Sequence, residues 1–166
     1  MLTKFLVAAG FVLVFAQGAR AEEKAMVSFK FLTPEVALEL AQGALQSCRA
    51  SGYQVAVVVV NRFGIVQVAL RDQLAGQHTV ETARRKAWTA VSFKTDTETM
   101  SELTQAGQPQ SGVRQVPGVL VVGGGVPVRA AGTIVAGIGV SGAPGGKADD
   151  TCARDGIESI IEKLEF

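Results

Sequence analysis

The sequence predicts an α+β domain, within the broad α/β class, built as an antiparallel five-stranded sheet flanked by helices in the order α-β-β-α-α-β-β-β-α. Three observations predict it. Apolar runs come in neighbouring pairs joined by short glycine-bearing turns, Asn61-Arg62-Phe63-Gly64 and Gly123-Gly124-Gly125, which is the pattern of hairpins and so of antiparallel strands. Stretches with helical apolar spacing lie before, between and after these pairs. No repeat or linker divides the chain, so helices and strands must share one core.

Residues 25–32 alternate in part and read as an edge strand or an arm. Thr33-Pro34-Glu35 opens the first helix: Thr33 can cap, Pro34 suits the first helical position, and Glu35 faces the positive helix end. Val36, Ala37, Leu40, Ala41, Ala44, Leu45 and Cys48 then form one apolar stripe, and Gly52 ends the helix. Tyr53 to Val60 is valine-rich and too apolar for a one-sided strand, so it belongs in the middle of the sheet. Ile65 to Arg71 returns beside it. Asp72 to His78 is a loop, and Thr79 is placed to cap a helix from Val80 to about Lys94, with Ala83, Ala87, Trp88 and Val91 inward. Arg84, Arg85 and Lys86 fall on or beside its outer face. A short helix follows within Thr95 to Gln105, and Gly107 to Gly118 is a long irregular loop. Val119–Val122, Val126–Ala130 and Thr133–Val140 are the last three strands. Asp149 and Asp150 open a final helix to about Leu164, with Ile157, Ile160, Ile161 and Leu164 inward.

The first residues have the form of a secretory signal. Lys4 supplies a positive start, Phe5 to Phe15 an apolar run, and Ala19-Arg20-Ala21 small residues where a signal peptidase reads. The run is too short to span a bilayer comfortably. The expectation is a signal at residues 1–21 and a single domain at 22–166, periplasmic or secreted, with no membrane insertion after cleavage. The chain has 16 Lys and Arg against 15 Asp and Glu. Lys4 and Arg20 leave with the signal, so the mature charge is near zero and gives no reason to expect nucleic acid as a partner. Cys48 and Cys152 form an even pair in an exported chain. They read as a disulfide, with two separate buried thiols as the alternative and geometry to decide.

Most motifs that could carry chemistry fail on context. Gly137-Ile138-Gly139-Val140-Ser141-Gly142 spells G-x-G-x-x-G, but no helix opens inside it and the strand and acidic residue of a dinucleotide site do not follow. Gly146-Lys147 lacks the first glycine and the hydroxyl of a phosphate loop. The chain has one His and two distant Cys, which argues against a zinc site. A Ser-His-Asp set around His78 has no nucleophile elbow to support it. His78 is the informative residue. It precedes a helix, and one imidazole is enough to hold the iron of a porphyrin whose carboxylates meet nearby cations. Arg71, Arg84, Arg85 and Lys86 are such cations, close in sequence.

Several segments together resemble the GlcG/HbpS-type haem-binding family. They are Arg71-Asp72, Ala75-Gly76-Gln77-His78-Thr79, Thr82 to Ala90, Pro117-Gly118-Val119, Gly125-Val126-Pro127-Val128, and the glycine motif with Asp149-Asp150. The likeness runs over about residues 33 to 163. It implies a profilin-like fold, a homo-oligomer and haem as cofactor, with His78 and Thr79 at the iron and Arg71, Arg84, Arg85 and Lys86 toward the propionates. Two other classes compete. One is an enzyme on a small organic acid, holding a carboxylate on backbone N–H groups of the Gly139–Gly146 segment. The other is a sensory or assembly module that uses the Gly107–Gly118 loop.

Overall fold

The structure is a computed structural model that describes residues 25–165; the expected signal at 1–21 lies outside them. Four strands form one antiparallel sheet in the order β2-β1-β4-β3: β1 Ala56–Asn61, β2 Val66–Arg71, β3 Gly125–Ala130 and β4 Thr133–Ser141. Helices α1 (Pro34–Ala50) and α4 (Gly146–Glu158) cover one face. Helix α2 (Thr79–Phe93) covers the other, and the short α3 (Thr97–Leu103) packs beside it.

Val57 and Val59 face α1 and α4, while Val58 and Val60 face α2, so the central strand β1 is buried on both sides. That is why its sequence is an unbroken apolar run. Thr33 caps α1 by accepting from the Val36 N–H at 3.4 Å. Asp96 caps α3 by accepting from the Thr99 N–H at 2.8 Å. Cys48 and Cys152 are joined as a disulfide, which ties the end of α1 to the middle of α4. Beside it, Gly43 and Gly156 let the two helices cross closely. A Cβ on Gly156 would sit 2.7 Å from the Ala44 Cβ.

The expected fifth strand is absent: Val119–Val122 pairs with no strand among the described residues. Side chains of the neighbouring helices satisfy its backbone instead. Thr89 Oγ1 accepts from the Leu120 N–H at 3.0 Å, Arg85 donates to the Val119 carbonyl at 2.7 Å, and Thr97 donates to the Val122 carbonyl at 2.7 Å. Val119 and Val121 bury with Met100 in a small separate cluster against Trp88. An apolar run held this way looks like a strand in sequence. The last helix also differs. It starts earlier, at Gly146, ends at Glu158, and is followed by a tight turn at Ile161–Lys163 that leaves Ile161 exposed and Leu164 buried.

Residues 25–32 are an arm with no strand pairing. Gln67 Nε2 donates to the Leu32 carbonyl at 3.0 Å. Phe29 and Phe31 stack edge-on against Phe63, and Arg62 lies 4.3 Å over the Phe29 ring.

Candidate functional site

The start of α2 and the loop before it carry most of the residues singled out in the sequence. Asp72 anchors the base of that loop. It is buried, receives Arg49 Nε at 2.8 Å, and accepts from the Val55 N–H at 3.2 Å. Next to it, Arg71 folds over the loop and donates to the Ala75 carbonyl. Thr79 is the first residue of α2 rather than its cap, and its buried hydroxyl donates to the Gly76 carbonyl at 2.7 Å. The capping position belongs to His78, whose side chain caps nothing. Its carbonyl accepts from the Thr82 N–H and the Thr82 hydroxyl, both at 3.0 Å.

The His78 imidazole is exposed and lies against Gly76. A Cβ at position 76 would come within 2.7 Å of Cε1 and 3.0 Å of Nδ1. The missing side chain is therefore a cradle for the ring, with the Nδ1–Cε1 edge against the loop. Leu74, in the same loop, is 82% exposed.

The remaining cations separate. Arg84 forms a two-pronged pair with Glu81, both bonds at 2.7 Å, and the bonds from Arg84 hold the Glu81 carboxyl below the usual carboxylate range. Arg85 reaches across to the Gly118 and Val119 carbonyls. Lys86, expected on or beside the outer face, is 1% exposed. Its ammonium donates to Asp149 Oδ2 at 2.7 Å and to the Val140 carbonyl at 2.9 Å. Burial pulls Lys86 below the ordinary lysine range, and burial likewise pushes Asp149 above the ordinary carboxylate range; each is offset in part by the other's charge. The reason is positional. Lys86 is three residues after Ala83 and four before Ala90, on the buried stripe of α2. That spacing is the signal in the sequence that places the side chain inside, against the outward preference of its charge.

The glycine motif has a packing role. A Cβ on Gly139 would lie 1.9 Å from the Ala83 carbonyl oxygen, one on Gly137 would lie 2.5 Å from Val91 Cγ1, and one on Gly125 would lie 2.4 Å from the Lys86 carbonyl oxygen. Gly125 is paired with Gly139 across the sheet, so α2 rests on a floor without side chains. The segment offered as a carboxylate cradle commits its donors internally: the Ala143 N–H bonds to Asp149 Oδ1 at 3.0 Å and the Gly145 N–H to the Ala143 carbonyl at 2.7 Å.

The profile of the family described as haem degrading, HbpS-like proteins matches residues 32–158. This chain belongs to the HbpS-like family. A crystallised double mutant of HbpS from Streptomyces reticuli is 38% identical, with a TM-score of 0.75 over 86% of this chain and 96% of that one. A crystal structure described as a PduOC:heme complex is 28% identical, with a TM-score of 0.73 over 78% of this chain and 95% of that one. The corrinoid adenosyltransferase PduO of Salmonella typhimurium is 32% identical over 106 residues, which are 63% of this chain and 32% of that protein. The chain thus spans about a third of the length of that relative. The HbpS-like match takes in the whole sheet, all four helices, and the loop with Gly76 and His78. Among the described residues, no helix is long and apolar enough to cross a membrane.

Proposed function

We propose that this chain is an exported haem-binding protein with a profilin-like fold, acting in the periplasm or outside the cell as a homo-oligomer that stores haem or handles its iron. The observation that carries the reading is the exposed imidazole of His78 lying in the cradle left by Gly76, in a chain of the HbpS-like family. A similar protein has been crystallised with heme. Bound haem would supply an iron centre and its redox chemistry.

The residues present fit an open site better than an enclosed one. His78 is exposed, Leu74 offers apolar surface, and Arg71 folds a guanidinium over the same loop. Arg84 and Arg85 are half-buried cations on the following turns, held by Glu81 and by the Gly118 and Val119 carbonyls, and haem carboxylates would compete with those partners. Thr79 and Lys86 point their polar atoms inward and support the helix under the site. A second copy in the proposed homo-oligomer would supply the facing wall.

Haemin titration followed by absorbance tests this. The expected result is a Soret band that shifts or disappears in His78→Ala. Gly76→Ala has no positive-φ strain to confound it, and it weakens haemin binding by pushing the ring out of its cradle. Unchanged spectra and affinity in His78→Ala would remove His78 from the site.

A further inference from the structure

A second site lies under the N-terminal arm, and its chemistry differs from that of the His78 surface. A hollow of about 270 Å³ opens between the arm, the β3–β4 end of the sheet and the turn after α4. Ala130 and Val135 form its floor, and Leu32, Val36 and Leu164 its walls. Lys30 and Lys163 lie on its lining as the charged groups. A second hollow shares Lys30, Ala130 and Val135 with it and adds Arg62, so cations continue along the groove. Lys163 pairs with Glu39 at the surface, where both side chains are about half exposed, and an incoming anion can take that ammonium at little cost. Thr33 and Val36 also line the hollow, so the first turn of the 17-residue helix α1 borders it.

We infer that this groove binds a small amphipathic monocarboxylate, its aliphatic or aryl tail against Ala130, Val135 and Leu164 and its carboxylate at Lys163 and Lys30. Size and charge both point there. The volume suits a compact tail and is near the lower end for ligand pockets, so it does not enclose a porphyrin. The lining is apolar in depth and cationic in its charged groups, which selects an oily body with a single anionic head. The groove sits at the Ala130–Thr133 end of the sheet, whereas His78 follows the Arg71–Asp72 end of β2, which pairs with the start of β1.

Octanoate is the probe, with 1-octanol (same tail, no charge) and acetate (charge, no tail) as controls. Titration is followed by calorimetry and by amide chemical shifts of the purified protein. The expected result is octanoate binding that moves the amides of Ala130, Val135 and Leu164, with both controls at least about tenfold weaker. Lys163→Gln weakens octanoate by about tenfold, and Val36→Trp, which fills the wall, abolishes it while haemin binding stays unchanged. Octanol that matches octanoate, unmoved amides at those positions, full binding by Val36→Trp, or competition between octanoate and haemin would each overturn the assignment.

Discussion

Replacing Lys86 by methionine isolates the buried ion pair beneath α2. Methionine keeps the apolar stem and removes the ammonium. It leaves Asp149 Oδ2 and the Val140 carbonyl without the donor they share, while Oδ1 keeps the Ala143 N–H. At 2.7 Å, the gross attraction is roughly 6 kcal/mol at an effective dielectric of about 20. Desolvating the two ions offsets much of it, so the pair contributes little net stability, but stranding one charge costs about 3–5 kcal/mol. The expected loss for Lys86→Met near neutral pH is therefore about 3–5 kcal/mol, read as a lower urea midpoint with an unchanged slope. The sign of the pH effect follows from Asp149. Burial raises its carboxyl above the ordinary value in the folded state, so its contribution is fully present below the unfolded value and lost as pH rises through the folded one. Without its cation the effect grows, and the deficit of the variant against the parent is smaller at about pH 4 than at about pH 7. Adding Asp149→Asn recovers most of the loss, because no charge remains buried and the amide oxygen still accepts from Ala143. A Lys86→Met protein as stable as the parent at neutral pH, or a deficit that ignores pH, would refute this account.

Other outcomes follow from the same geometry. Gly139→Ala drives a Cβ into the Ala83 carbonyl oxygen and lifts α2 from the sheet, at a cost of about 1–3 kcal/mol or more; thermal unfolding and near-UV circular dichroism measure it. Removing the Cys48–Cys152 cross-link, which spans 104 residues of sequence, lowers stability by up to about 4.7 kcal/mol in the chain-entropy model, and a reductant reproduces that loss in the parent and leaves the double alanine variant unchanged. Burial pushes the Asp96 carboxyl up, but its bonds from Thr99 and the charge of Arg154 outweigh this and hold it below its ordinary value. Its stabilising effect is present above the unfolded value and fades as pH falls through the folded one, so Asp96→Asn flattens the acid limb of a urea-midpoint profile taken from about pH 5 to about pH 2.

The helices and all four strands of the sheet were legible, the helices by their apolar spacing and the strands by apolar runs joined at glycine-bearing turns. The valine run of β1 and the stripe of α1 each follow one template from end to end. Val119–Val122 misled because four apolar residues carry no record of what their backbone bonds to, and here the partners are Arg85, Thr89 and Thr97 on two helices. In the candidate site, His78 and Arg71 stood out by residue type and order. The cradle at Gly76 did not, since a glycine before a helix has many uses and only the folded ring shows this one. Lys86 was misplaced because charge was weighed above helical position. The groove under the arm was invisible for a different reason: the Leu32–Val36 stretch, Ala130 and Leu164 are far apart in sequence and meet only through the fold.

The bond between Cys48 and Cys152 turns the chain between them into a closed covalent ring. That ring holds all four strands, α2 and α3, together with the long exposed segment around Gly107 to Gly112. A single protease cut in that segment would therefore open the ring without releasing a fragment. The two pieces would stay tethered, and the nicked protein would run as one species until a reductant is added.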